Sequence, residues 1–117
     1  MCIRDRWKAG VTELATCPNV TMKLGGMMMR LAAYDYGARP APPSSAELAD
    51  LWRPYIEHCI ERFGASRCTF ESNFPVEKMG IGYAALWNAF KRITAGASAD
   101  DKRALFSGTA RRVYRLD

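Results

Sequence analysis

Histidine is nearly absent from this sequence: His58 stands alone among 117 residues. Metal ligands come in groups, and the four cysteines, Cys2, Cys17, Cys59 and Cys68, form no CxxC pair that one histidine could complete, so the chain itself offers no zinc site. His58 reads instead as a surface or half-buried residue beside an apolar helical stripe. The cysteines sit in apolar contexts and no secretory leader precedes them, which reads as reduced thiols in a cytoplasmic protein. No apolar run approaches the length needed to cross a bilayer, so no membrane partner is expected. Also missing is any block of like charge. Lys and Arg outnumber Asp and Glu by 17 to 12, for a net charge of +5, yet they are scattered, and no nucleic-acid partner is expected. Oligomeric state is left open.

What is present suits one small core, since apolar residues make up 49% of the chain. Met1 to Arg6, reading MCIRDR, looks like the translation of a sequencing adapter. It is set apart as an N-terminal scar, with residues 7–117 as the domain; the plainer alternative is a charged tail. A scar there would make the chain a C-terminal fragment.

Alternating elements follow. Trp7 to Thr16 has helical spacing and stops at Cys17-Pro18. Val20 to Leu24 reads as a short strand broken by Gly25-Gly26, and a long loop runs from Met27 to Ser45. Ser45 is placed as the cap of a helix with an apolar face from Leu48 to Phe63, stopped by Gly64. Pro54 inside that run predicts a kink, or a helix whose main part starts near it. Cys68 to Glu71 reads as a second strand. Tyr83 to Thr94 is amphipathic, Ser98 caps Ala99 to Phe106, and Thr109 to Tyr114 gives a last helical turn or two. A helix between two short strands predicts an α/β fold with the strands side by side and parallel.

Three stretches, CPNVTMKLGG, WRPYIEHCIERFGASRCTFESNFPVEK and LFSGTARRVYRL, together resemble the C-terminal part of the amidohydrolase-related proteins, a group of metal-dependent hydrolases that includes lactonases. The resemblance covers nearly everything from Trp7 to Asp117. It implies the C-terminal portion of a (β/α)8 TIM barrel, two parallel strands with flanking helices, acting on a small-molecule substrate. A divalent metal, if the full-length protein uses one, would take its ligands from upstream. Such a slice is expected to be inactive alone, and to turn Trp52, Tyr55, Phe70 and Trp87 toward absent neighbours.

In such barrels the active site lies at the C-terminal strand ends, where Glu71-Ser72-Asn73 falls. The family's usual aspartate, which accepts a proton from the attacking water, is here Asn73, an amide that cannot take a proton at neutral pH. Strand alternation puts Glu71 on the same face, roughly 7 Å lower, so the carboxylate is read as relocated to Glu71. Thr21 and Lys23 would face the same interior, and Lys23 is placed against Glu71 across the strands. The pair is read either as a catalytic and substrate-orienting couple or as mutually neutralising charges. Arg30, just past the first strand, is a candidate for binding a substrate carboxylate or for loop packing. A non-catalytic, barrel-derived binding protein is the rival to a hydrolase.

Overall fold

The computed structural model describes residues 2–27 and 40–116. Helix α1, Ile3–Ala15, is followed by strand β1, Met22–Leu24, helix α2, Ser45–Phe63, and strand β2, Cys68–Phe70. Helix α3 is Tyr83–Ile93, and a final helical stretch consists of α4, Ala99–Arg103, a π-helical turn, Ala104–Gly108, and α5, Thr109–Val113. Arg30 and its neighbours in the long loop lie outside the described residues.

The two strands pair in parallel, Met22 with Cys68, Lys23 with Thr69 and Leu24 with Phe70, and α2 lies between them in the chain, as the order of elements predicts. Both are shorter than their sequence patterns, because regular pairing covers three residues of each. The Glu71 N–H still donates to the Leu24 carbonyl at 3.2 Å, so the ladder reaches one residue further toward the loop.

Helix α2 begins at Ser45 and passes through Pro54 to Phe63, which excludes a start near the proline. Its cap is Ser44, not Ser45: the Ser44 hydroxyl accepts the Glu47 N–H at 3.2 Å. Ser45 does other work, accepting from Arg92 Nε at 2.9 Å and so tying the start of α2 to the end of α3. Gly64, with φ of 81°, ends the helix in a conformation that a β-carbon would disfavour.

Leu48, Trp52, Ile56, Cys59 and Phe63 recur along one side of α2 and are all buried. They meet Leu86, Ala89 and Phe90 of α3 and the inner face of β2. Phe70 stacks on Phe90 at 4.4 Å and lies 4.8 Å from Phe106, while Trp52 lies 5.8 Å from Phe90. Full burial of such a side chain contributes roughly 1.5–3 kcal/mol. Trp52 and Phe70 therefore do not face outward, as expected of a slice; they belong to a core that this chain closes by itself, and Tyr55 and Trp87 are half-buried. The large apolar side chains left exposed are others, among them Val76, Tyr83 and Tyr114.

Arg67 holds the start of the sheet together. Its guanidinium donates to the carbonyls of Phe63 (3.2 Å), Ala15 (2.9 Å), Cys17 (2.9 Å) and Val20 (3.3 Å), joining the ends of α1 and α2 to the chain entering β1. On the residues just before Arg67, the Thr109 hydroxyl donates to the Ala65 carbonyl at 2.9 Å and Arg112 donates to the Ser66 carbonyl, fixing the C-terminal helical stretch to the entry of β2.

Residues 3–6, set apart above as a scar, are helical and continuous with the rest of α1, and Arg4 lies over the Tyr55 ring at 5.4 Å. His58 faces α1, with Nε2 3.1 Å from the Lys8 carbonyl and 3.4 Å from the Thr12 hydroxyl. Among the described residues no helix is long and apolar enough to cross a membrane.

Candidate functional site

Directly after β2 the chain leaves the sheet through Glu71, Ser72 and Asn73, turns at Phe74 and Pro75, and enters a short 3-10 turn, Val76–Met79. Three side chains converge at this exit. Asn73 Nδ2 donates to Glu71 Oε1 at 3.3 Å. The Asn73 main-chain N–H donates to Glu77 Oε2 at 3.0 Å, and the Glu77 N–H returns a bond to the Asn73 carbonyl at 3.3 Å. This reciprocal arrangement resembles the return arm of a helix capping box, with the side chain reaching back to the main-chain donor that opens the turn.

Gly25, on the other strand, sets the limit on Glu71. A β-carbon at Gly25 would stand 2.0 Å from Glu71 Oε1 and 2.4 Å from its Cδ. The carboxylate lies across the bare backbone of Gly25, where no other residue type leaves room. Glu71 is thus held between a glycine below and an amide donor above.

Glu77 is the residue that sequence reasoning missed. It is 1% exposed, and among the described residues its Oε1 has no hydrogen-bond partner. Burial pushes its carboxyl above the ordinary value of 4.5; the charge of Glu71 adds to the rise, and the bonds from Asn73 act against it. In sequence, Glu77 looks like one more loop charge beside Lys78. The one signal that could have found it is its place four residues after Asn73 at the start of a helical turn, where a carboxylate can turn back to a free N–H.

The expected Lys23–Glu71 pair does not form. Lys23 lies opposite Thr69, so Glu71 falls beside Gly25, beyond the reach of that register. Among the described residues no ion pair joins the two; Lys23 is exposed and lines a hollow of about 170 Å³ with Trp7, Met22 and Tyr55. Glu71 and Asn73 do come together, as strand alternation predicts. Among the described residues no three His, Cys, Asp or Glu side chains gather in a way that could hold a metal ion. The described residues thus do not by themselves fit a metal centre, and the chemistry below uses only their own groups.

A family profile described as Amidohydrolase matches residues 4–116. The chain belongs to the amidohydrolase family. It is 37% identical over 112 residues to the uncharacterised protein y4mH of Sinorhizobium fredii, covering 96% of this chain and 33% of that protein. It is 33% identical over 116 residues to the L-fucono-1,5-lactonase of Burkholderia multivorans, covering 95% of this chain and 36% of the lactonase. A crystal structure of an amidohydrolase from Burkholderia multivorans with bound zinc superposes with a TM-score of 0.80 at 28% identity, over 97% of this chain and 38% of that one. The chain therefore spans about a third of the length of the curated relatives it matches.

Proposed function

We propose that this chain is the C-terminal part of a (β/α)8 barrel hydrolase that opens small lactones, sugar lactones foremost, with Glu71 as the proton acceptor for the attacking water. The observation that carries the reading is the Glu71 carboxylate at the exit of a parallel strand, held by the Asn73 amide and seated over Gly25. Carboxyl ends of parallel strands are where barrels of this kind place their chemistry. The lactonase names of two relatives support the substrate class.

In this reading the water oxygen bonds to the lactone carbonyl carbon while its proton passes to Glu71. The tetrahedral intermediate then collapses, the ring C–O bond breaks, and the proton on Glu71 is returned to the departing ring oxygen, giving a hydroxy acid. Asn73 takes no proton. Its amide donates to Glu71 and fixes the direction in which the free carboxylate oxygen points. Lys23, and Arg30 six residues past the end of β1, supply cations for substrate hydroxyls or a substrate carboxylate.

The test is Glu71→Gln in the full-length protein, with hydrolysis of sugar lactones followed by acid release. Turnover is expected to fall on the order of 10²- to 10⁴-fold with substrate binding retained, and Asn73→Asp in that background should restore part of it. Near-normal turnover in a folded Glu71→Gln protein would remove Glu71 from the chemistry. The amide at Asn73 favours one rival, a non-catalytic binding protein; lactone binding without any turnover in the wild type is the result that would select it.

A further inference from the structure

Resting on the reading of Glu71 as the proton acceptor, we infer that Glu77 is a positioning residue: its buried carboxyl fixes the main chain of Asn73 so that the Asn73 amide is delivered to Glu71.

The contacts form one unbroken path. Glu77 Oε2 accepts the Asn73 N–H at 3.0 Å, and Asn73 Nδ2 donates to Glu71 Oε1 at 3.3 Å. The bond from the Glu77 N–H to the Asn73 carbonyl closes a ring around the turn, so Asn73 is held at both its main-chain polar groups. The turn's other contacts, Phe74 edge-on against Tyr83 at 5.1 Å and the Lys78 N–H donating to the Pro75 carbonyl at 3.1 Å, fall on its neighbours and leave the Asn73 main chain to Glu77. A carboxyl group that is 1% exposed, with one oxygen unpartnered among the described residues, is costly to bury. What its carboxyl gains in exchange is its bonding to Asn73.

The role needs an acceptor at Oε2 and no charge, which separates Glu77→Gln from Glu77→Met. Both fill about the same space, but only glutamine keeps an oxygen for the Asn73 N–H. In the full-length protein, Glu77→Gln should keep kcat on sugar lactones within about 3-fold of wild type. Glu77→Met should lower kcat by about tenfold with KM nearly unchanged, the size expected for losing one hydrogen bond that aligns a reacting group. Because the effect passes through Asn73, it should vanish in an Asn73→Ala background, where Glu77→Met is expected to cost less than 2-fold more; a merely structural loss would be additive there. A tenfold or greater loss in a folded Glu77→Gln protein overturns the inference, even if Glu77→Met does not fold, and so does additivity with Asn73→Ala. If Glu71→Gln itself keeps full turnover, the assignment of Glu71 fails instead.

Discussion

Replacing Gly25 with alanine probes the seat of Glu71 without touching any group that takes part in chemistry. The new methyl would lie 2.0 Å from Oε1, 2.4 Å from Cδ and 2.8 Å from Cγ of Glu71. Ordinary contact requires about 3.4 Å or more, so the carboxylate must retreat by about 1.4 Å. The backbone cannot retreat in its place, because Leu24 is paired with Phe70 and its carbonyl accepts the Glu71 N–H at 3.2 Å. A misplacement of about 1 Å in a reacting group can cost on the order of 10²-fold in rate. We therefore expect Gly25→Ala to lower kcat on sugar lactones about 100-fold, equivalent to ~2.7 kcal/mol of barrier. The assay is steady-state acid release by the full-length protein, with circular dichroism and a thermal melt to establish that the variant folds. In the Glu71→Gln background the same change should add less than about 3-fold, since no carboxylate is left to displace. A folded Gly25→Ala variant with kcat within about 3-fold of wild type would refute the seat.

Two further outcomes concern the fold. Arg67→Met removes four hydrogen bonds to carbonyls from a half-exposed guanidinium, and should lower the unfolding free energy by about 2–4 kcal/mol, read from urea midpoints. Arg67→Lys should recover little, because one ammonium cannot reach four carbonyls, and a loss below about 0.5 kcal/mol for methionine would rule the staple out. Burial pushes the Cys59 thiol up to about 11 and the Cys68 thiol up to about 12, so at pH 8 iodoacetamide should label Cys2 and Cys17 well before either, as read by peptide mass spectrometry. Equal labelling rates for all four would contradict the packing of α2 on β2.

The parts of the fold that were legible in the sequence are those set by a repeated pattern. The apolar face of α2 needs only helical periodicity, and the parallel pairing follows from a helix standing between two short strands. Leu51 falls within the span of that face yet stands exposed, because it lies one position beside the stripe that meets α3. The pairing of Glu71 with Asn73 was legible from strand alternation. The Lys23 partnership was not, since register depends on which residues of two distant strands align, and a shift of two moved Glu71 from Lys23 to Gly25. Arg67 ends the FGASR stretch just before β2, but the carbonyls of Ala15, Cys17 and Val20 lie about fifty residues away, and nothing local marks them as needing donors. Glu77 carries a charge that in sequence belongs to solvent; only the turn after β2 puts it inside.

The π-helical turn at Ala104–Gly108 has its own consequence for how this stretch tolerates changes of length. The Thr109 N–H reaches back to the Ala104 carbonyl, five residues instead of four, so the turn takes up one residue more than an α-helix would. Leu105 before the end of the wide turn is buried, and Thr109 after it is buried too, bonded to Ala65. Straightening the turn without shortening the chain would swing Thr109 and Arg112 by about 100° around the axis, off the Ala65 and Ser66 carbonyls. Deleting one residue inside the turn should leave both flanks in phase, whereas the same deletion in α4 or α5 should not. The wide turn is thus the place where this helix can gain or lose a residue while keeping its grip on the connection into β2.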